Sequence, residues 1–116
     1  MLFHGINSVQ KQFPWIPDES AGYNNLKNLT NIQNLKKWGF NTVRLGYMWS
    51  GVYPAKGQVN QSYIDEMTGI ISTLEENGFY VILDMHQDMM SSKFAAYDGV
   101  PLWVLNEVLN FNLKLL

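Results

Sequence analysis

The segment Asn77-Gly78-Phe79-Tyr80-Val81-Ile82-Leu83 decides the fold, and Asp84-Met85-His86-Gln87-Asp88 follows it without a break. A glycine just past a helix adopts the left-handed conformation at little cost, and the apolar residue after it folds back onto the last helical turn. The apolar run after Gly78 has the length of a short buried strand. This stretch therefore predicts a helix that ends at Gly78, a strand over residues 80–83, and titratable side chains at the strand end.

The same order of helix, glycine, aromatic residue and strand occurs once earlier in the chain. There, Lys36-Lys37-Trp38-Gly39-Phe40 precedes the run Asn41-Thr42-Val43-Arg44-Leu45. Ahead of both, Leu2-Phe3-His4-Gly5-Ile6-Asn7 predicts a first strand, followed by a long loop that carries aromatic residues and prolines. The chain thus reads strand, helix, strand, helix, strand, an order typical of parallel strands joined by right-handed crossover helices.

The two helices differ in how their beginnings are marked. The helix before Gly78 carries apolar residues on one face, and Asn60 or Ser62 is available as its N-cap. The helix before Gly39 carries apolar residues at every third position from residue 26 to residue 38. Thr30 could cap a shorter helix that begins there, so we expect the start of this helix within about one turn of Thr30.

The predicted fold class is α/β, the N-terminal portion of a (β/α)8 TIM barrel with about three parallel strands and crossover helices. An open doubly wound sheet is the alternative that the pattern leaves open. A barrel of eight such units needs about 250 residues, whereas this chain has 116. Residues 1–116 are therefore expected to form a partial barrel domain, truncated or divergent after about residue 103, with the remainder of the barrel missing.

The composition of the chain argues against several classes of function. Its 8 basic and 10 acidic residues give a net charge of -2, which provides no basic surface for nucleic acid. The absence of cysteine removes disulfides, thiolate metal ligands and thiol nucleophiles. No apolar run is long enough to predict a transmembrane segment, and the first residues lack the features of a signal peptide.

Residues that can carry chemistry lie at the predicted strand ends. In parallel sheets and barrels, the carboxyl ends of the strands and the loops after them form the active site. Arg44 lies near the end of the second strand, and Trp49 lies in the loop that follows. Asp84, His86 and Asp88 share one face at the end of the third strand, because side chains alternate along a strand. Polar groups interleaved with aromatic rings suit a sugar, whose hydroxyls need hydrogen-bond partners while its C–H faces lie on flat rings.

Structural roles are the plainer alternative for each of these residues. Arg44 could be half of a structural ion pair, and His86 could be a histidine whose tautomer is fixed by the neighbouring acids. Loop aromatics such as Trp49 are more often packing residues than substrate platforms. Lys11, in the first loop, would be interpreted on its own as a solvated charge.

A metal centre competes for the same cluster. The spacing of His86 and Asp88 matches two ligands of the two-histidine, one-carboxylate triad of non-haem iron oxygenases, and Asp84 could add an oxygen ligand. That triad needs a second histidine, and the other histidine of the chain is His4, in the first predicted strand. The alternation of strands and helices also differs from the double-sheet fold that such oxygenases favour. We therefore expect no metal at this cluster.

Four stretches of the chain carry a recognisable pattern: Phe3-His4-Gly5-Ile6-Asn7 with Lys11; Asn41 to Pro54; Ser62-Tyr63-Ile64-Asp65; and Tyr80 to Asp88 with Ser91-Ser92-Lys93-Phe94. Together they resemble the endoglycoceramidases of glycoside hydrolase family 5. The resemblance covers most of residues 2 to 103. Its most specific parts are the segment from Asp84 to Asp88, the tripeptide Val43-Arg44-Leu45, and Trp49.

The resemblance implies a (β/α)8 barrel that hydrolyses the bond between oligosaccharide and ceramide in glycosphingolipids, with retention at the anomeric carbon and without a cofactor. In such retaining enzymes two glutamates about 5 Å apart act as nucleophile and as acid/base; in this family they follow the fourth and seventh strands. Neither is identifiable in this chain, and both are expected beyond Leu116. The resemblance also implies a glycolipid or oligosaccharide substrate and an extracellular or lysosomal-type compartment.

The resemblance further implies supporting roles for individual residues of this chain. Arg44 would orient the nucleophile, and His86 would line the sugar subsite. Asp84, Asp88 and Lys11 would contact sugar hydroxyls or brace the site.

Three positions depart from the pattern of the family. Tyr53 stands where the family usually has a glutamate before the loop proline, and Leu102 stands where an acid is expected. Asn106-Glu107 imitates the Asn-Glu pair that carries the acid in related enzymes, yet it follows the third strand too soon and lacks the usual proline. Glu107 is therefore not assigned as the catalytic acid.

Three hypotheses on function follow. The first is a glycosidase of the endoglycoceramidase type that is complete only when this chain is part of a whole barrel, so that the chain alone is inactive. The second is a non-catalytic sugar- or lipid-binding remnant that uses the same loops. The third is the metal-dependent oxygenase.

Overall fold

Three parallel strands form one sheet in the order β1-β2-β3, and helices connect them. The computed structural model describes residues 1–18, 25–94 and 99–114, the last four of these as backbone only. The strands are β1 (Gly5–Ser8), β2 (Thr42–Gly46) and β3 (Tyr80–Asp84); the helices are α1 (Leu29–Lys37), α2 (Trp49–Val52), α3 (Gln61–Glu76) and α4 (Leu102–Lys114). The predicted order of strand, helix, strand, helix, strand is confirmed.

The first strand begins three residues later than predicted. The side chain of Asn41 bonds to the backbone of the residues just before β1. Its Oδ1 accepts from the His4 N–H at 2.8 Å, and its Nδ2 donates to the Leu2 carbonyl at 2.8 Å. The Asn41 N–H also donates to the His4 carbonyl at 2.8 Å, and the register of the strands begins at Gly5, which pairs with Thr42.

Both glycine helix ends have the predicted geometry. Gly39 and Gly78 have φ values of +87° and +82°. Beyond them, the Phe40 N–H donates to the Leu35 carbonyl at 3.1 Å and the Phe79 N–H donates to the Leu74 carbonyl at 3.0 Å. These are the long backbone bonds of the Schellman motif, which satisfy the last helical carbonyls and direct the chain into the next strand.

The N-caps of the two helices settle the alternatives that the sequence left open. The prediction that Thr30 caps α1 is wrong: the cap is Asn28, whose Oδ1 accepts from the Thr30 N–H at 2.9 Å. The cap of α3 is Asn60, whose Oδ1 accepts from the Tyr63 N–H at 3.2 Å. In both cases an asparagine satisfies a backbone N–H that the first helical turn leaves without a partner.

Replacing Asn60 with alanine is expected to lower the free energy of unfolding by about 1 kcal/mol, because this backbone N–H loses its acceptor. Ser62, the other candidate cap in the sequence, lies inside the first turn of α3, so Ser62→Ala is the matched control and should leave the stability close to that of the wild type. Chemical denaturation of both variants makes the comparison. A larger loss in Ser62→Ala than in Asn60→Ala would contradict this assignment of the cap.

The core lies between one face of the sheet and the helices α1 and α3. The central strand contributes Val43 and Leu45, both without solvent exposure, and Met67 and Leu74 of α3 are equally inaccessible. β3, at one edge of the sheet, is covered much less, and Leu83 remains 58% exposed. The core cluster comprises Leu26, Ile32, Leu35, Val43, Leu45, Tyr63, Met67, Ile70, Leu74 and Phe79.

The C-terminal helix α4 was not predicted, since the pattern was interpreted as decaying after residue 103. Its N-terminal part is held by two contacts to the segment after α2. Trp103 Nε1 donates to the Tyr53 carbonyl at 2.9 Å, and Glu107 accepts from Lys56 Nζ at 2.7 Å. No helix within the residues that the structure describes is long and apolar enough to cross a membrane.

Candidate functional site

The register of the sheet aligns polar residues at its C-terminal edge. Asn7 of β1 pairs with Arg44 of β2, and Gly46 of β2 pairs with Asp84 of β3. Partners in a parallel sheet point to the same face, and so do residues two positions apart in one strand. Asn7, Arg44 and Asp84 therefore share one face of the sheet near the strand ends.

Asp84 is the centre of this site, because one of its carboxylate oxygens serves two basic side chains. Asp84 Oδ2 lies 2.7 Å from Arg44 Nη2 and 2.8 Å from His86 Nδ1. A carboxylate without a proton can only accept, so His86 must carry a proton on Nδ1. Arg44 and His86, which come from different strand ends, are thus fixed relative to each other by a single atom.

Asp88 extends the network toward the first loop. Its Oδ1 lies 3.1 Å from His86 Nε2, and its Oδ2 accepts from Lys11 Nζ. Lys11, which on its own was interpreted as a solvated charge, is therefore tied to residues at the end of β3. Basic and acidic groups alternate along this chain of contacts, which runs through Arg44, Asp84, His86, Asp88 and Lys11.

Asp84, His86 and Asp88 lie together, but β3 ends at Asp84 and the following residues are not strand, so the predicted strand alternation does not extend over His86 and Asp88. The side chains of His86 and Asp84 are 12% and 19% exposed, whereas Lys11 and Arg44 are each 42% exposed. The middle of the network is thus shielded from water, and its basic ends face solvent, where a ligand oxygen can reach them. The roles of these residues in substrate binding stay predictions.

The hydrogen bond from Lys11 lowers the pKa of Asp88 from its ordinary value of 3.8, and the charge of His86 acts in the same direction. A carboxyl whose pKa is lower in the folded state stabilises the fold at pH values above its unfolded pKa. This contribution is lost as the pH falls through the lowered, folded value. The ion pair between Lys11 and Asp88 should therefore persist in mildly acidic solution.

Comparison of the wild type with Asp88→Asn tests this expectation. The difference in unfolding midpoint between the two should stay constant from neutral pH to about pH 5, and should shrink only below about pH 4, where Asp88 takes up its proton. Thermal unfolding across that range measures it. A difference that has already disappeared at about pH 6 would contradict the lowered pKa of Asp88.

Trp49 lies beside this network, not in it. It begins α2 and lines an apolar groove of about 320 Å³ whose other walls are Tyr47, Val52, Tyr53 and Met85. Sequence reasoning missed the groove, although the aromatic residues after the second strand were its visible signal. A larger cavity of about 590 Å³ lies against α3 and the segment Leu26-Lys27, and is lined by none of the network residues.

Tyr63 is a supporting residue that sequence reasoning identified only as part of a motif. Its hydroxyl oxygen accepts from the Met48 N–H at 2.9 Å, which fixes the residue directly before α2. Burial raises the pKa of Tyr63 to about 12, so the hydroxyl stays neutral throughout the physiological range. A side chain of α3 thereby positions the start of α2, where Trp49 lies instead of in the predicted loop.

None of the three positions that depart from the family pattern belongs to the network of Arg44, Asp84, His86, Asp88 and Lys11. Glu107 lies on α4, not at a strand end, and accepts from Lys56 Nζ. The Tyr53 carbonyl accepts from Trp103 Nε1, and Leu102 begins α4 directly before that tryptophan. In the part of the chain that the structure describes, no group of three or more carboxylate and imidazole side chains is arranged to hold a metal ion.

Comparisons with known proteins place this arrangement in a family. Residues 5–108 match the family model described as "Cellulase (glycosyl hydrolase family 5)". The chain is 40% identical over 106 residues to an endoglycoceramidase of Hydra vulgaris, and 38% identical over 107 residues to endoglycoceramidase I of Rhodococcus hoagii. Each alignment covers 90% of this chain and 20% of the relative, so the chain spans about a fifth of the length of the curated relatives it matches.

A solved structure gives the same result for the fold. Endo-glycoceramidase II from Rhodococcus sp., in complex with a five-membered iminocyclitol, superposes with a TM-score of 0.64 at 28% identity over 88% of this chain and 23% of that one. The three parallel strands with their helices correspond to the N-terminal part of its (β/α)8 barrel, which confirms the predicted fold class. The chain belongs to glycosyl hydrolase family 5.

Proposed function

We propose that the protein carrying this chain hydrolyses the bond between oligosaccharide and ceramide in glycosphingolipids, with retention at the anomeric carbon. Membership of glycosyl hydrolase family 5 supports cleavage of an O-glycosyl bond. Two relatives named endoglycoceramidase, at about 40% identity, support this substrate class. The contribution of this chain is part of the sugar-binding rim, not the bond-breaking groups.

The observation that carries the proposal is the sharing of Asp84 Oδ2 by Arg44 and His86 at the C-terminal edge of parallel strands. This is the edge at which barrel enzymes form their active sites. A donor array fixed in advance by one carboxylate loses little freedom when a substrate binds, which favours precise orientation. In this role Arg44 orients the nucleophile, and His86 lines the sugar subsite.

Asp88 and Lys11 fit the recognition of sugar hydroxyls. Both side chains reach solvent at the rim, and together they offer an acceptor and a donor side by side. Neighbouring hydroxyls of a pyranose each donate and accept hydrogen bonds, so they can bind such a pair in place of water. The lowered pKa of Asp88 is compatible with a mildly acidic compartment, and the extracellular or lysosomal-type location is proposed from the resemblance to endoglycoceramidases.

The two catalytic glutamates of a retaining mechanism, about 5 Å apart, are proposed to come from other strands of the complete barrel. Among the described residues of this chain, the glutamates lie on helices: Glu66, Glu75 and Glu76 on α3 and Glu107 on α4. The second candidate function is the binding of a sugar or lipid without cleavage, and it rests on the rim itself, where the side chains of Asp88 and Lys11 reach solvent.

Incubation of the protein, at the full length that its gene encodes, with a glycosphingolipid carrying a fluorescent acyl chain tests the proposal. The expected products are free oligosaccharide and labelled ceramide, and NMR should show the β-anomer of the sugar first, as retention requires. Saturable binding of the lipid without products would instead establish the binding function. Absence of both products and binding would refute the assignment to glycosphingolipids.

A further inference from the structure

Gly99 lies where two segments of backbone meet. It is buried, and a methyl group added at this position would lie 2.6 Å from the Met89 carbonyl oxygen and 2.8 Å from the Met90 carbonyl oxygen. Carbon and oxygen atoms in contact are about 3.3 Å apart. The Val100 N–H donates to the Met90 carbonyl at 3.0 Å, which joins the two segments beside Gly99. Their close approach therefore depends on the missing side chain of Gly99.

This contact bears on the polar network because Met89 directly follows Asp88. Asp88 Oδ1 lies 3.1 Å from His86 Nε2, and Asp88 Oδ2 accepts from Lys11 Nζ. A displacement of the Met89 backbone is transmitted through one peptide bond to Asp88. The position of the Asp88 carboxylate thus depends on where the Met89 backbone lies.

The Gly99 side of the contact is held by other parts of the chain. Ser50 Oγ donates to the Gly99 carbonyl at 3.4 Å, which ties this segment to α2, and Pro101 is completely buried. Residues 85–90, in contrast, belong to no helix or strand. A methyl group at Gly99 would therefore displace Met89, and Asp88 with it, by about 0.7 Å.

We propose that Gly99 is a positioning residue of the sugar site: its missing Cβ lets the Met89 backbone lie where it holds Asp88 in the network. This inference rests on the proposed function, in which Asp88 and Lys11 bind sugar hydroxyls, and it adds a residue that acts on this site through Asp88. A displaced carboxylate loses its alignment with the hydroxyl that it binds. The cost should be that of a hydrogen bond to a charged group, about tenfold in affinity.

Binding of methyl 1-thio-β-lactoside, a thioglycoside that resists hydrolysis, to the full-length protein measures this effect by calorimetry. Gly99→Ala should weaken the binding by about tenfold. Gly69→Ala is the matched control, because Gly69 lies on α3 and a methyl group added there meets none of the described side chains within 4 Å. It should bind the lactoside as tightly as the wild type does.

A double-mutant cycle with Asp88→Ala separates positioning from a general loss of structure. If Gly99 acts through Asp88, adding Gly99→Ala to Asp88→Ala should weaken the binding further by less than about twofold. Wild-type affinity in Gly99→Ala would overturn the inference. So would a tenfold loss that Gly99→Ala causes in both backgrounds.

Ser50→Ala gives the same test without a steric clash, so it serves if Gly99→Ala does not fold. It removes the donor that holds the Gly99 carbonyl, and it should weaken the binding by about threefold, but not in the Asp88→Ala background. Equal effects in the two backgrounds would overturn the inference.

The positioning role and the hydrolysis fail separately in this design. If the binding follows these expectations and no ceramide is released from a glycosphingolipid, the hydrolysis alone is refuted. If the wild type does not bind the lactoside, the positioning role is overturned even where ceramide release establishes the hydrolysis.

Discussion

Replacement of Asp84 by asparagine is expected to lower the kcat/KM of glycosphingolipid cleavage by about a hundredfold, the cost of displacing a positioned group by about 1 Å. Asp84 Oδ2 accepts from both Arg44 and His86. The asparagine has nearly the same shape, but it carries no charge, and one arm of its amide donates instead of accepting. Two charge-assisted contacts are therefore weakened at once, and Arg44 and His86 lose the atom that holds them together.

Steady-state kinetics of the full-length protein measure this effect, and the loss should fall mainly on kcat because the substituted residue orients other groups. Asp65→Asn is the matched control: Asp65 lies on α3, bonded to Gln61 and away from the network, so its loss should leave kcat and KM close to those of the wild type. Wild-type kcat in Asp84→Asn would contradict the positioning role. A fall in kcat that merely follows a fall in the unfolding temperature would contradict it as well.

The members of the polar network could be predicted because strand periodicity determines direction. Asp84, His86 and Asp88 stand at every second position directly after an apolar run, and parallel pairing brings Arg44 to the same edge. The partner of Lys11 could not be predicted from spacing alone, because Asp88 is 77 positions away in the chain. That contact depends on the path of the first loop, which local pattern does not determine.

The groove and the C-terminal helix were missed for different physical reasons. The groove is assembled from residues 47–53 and residue 85, and no single segment shows its shape. The helix α4 follows Pro101 without a recognisable cap, and its apolar residues cover more than one face, so its periodicity is weak. At α1, Asn28 and Thr30 are both good caps, and only the backbone conformation of Asn28 decides between them.

A second large effect is expected in the core, where Leu45→Ala should lower the free energy of unfolding by about 2–5 kcal/mol. Leu45 lies in the central strand with no exposed surface and belongs to the core cluster between the sheet and the helices. Its truncation removes buried methyl groups and leaves a cavity, because the neighbouring strands cannot close around it without breaking their pairing. Denaturant unfolding followed by circular dichroism measures the change.

Leu83 is the matched control, because it is the register partner of Leu45 in β3 and the substitution is the same. Leu83 is 58% exposed on the open edge strand. Leu83→Ala should therefore lower the free energy of unfolding by much less than Leu45→Ala does. Equal losses at the two positions would contradict that openness, since they would mean that other polypeptide covers β3 in the protein under test. The pair of variants therefore compares burial at the centre of the sheet with burial at its edge. In the (β/α)8 family, later strands and helices would cover that edge.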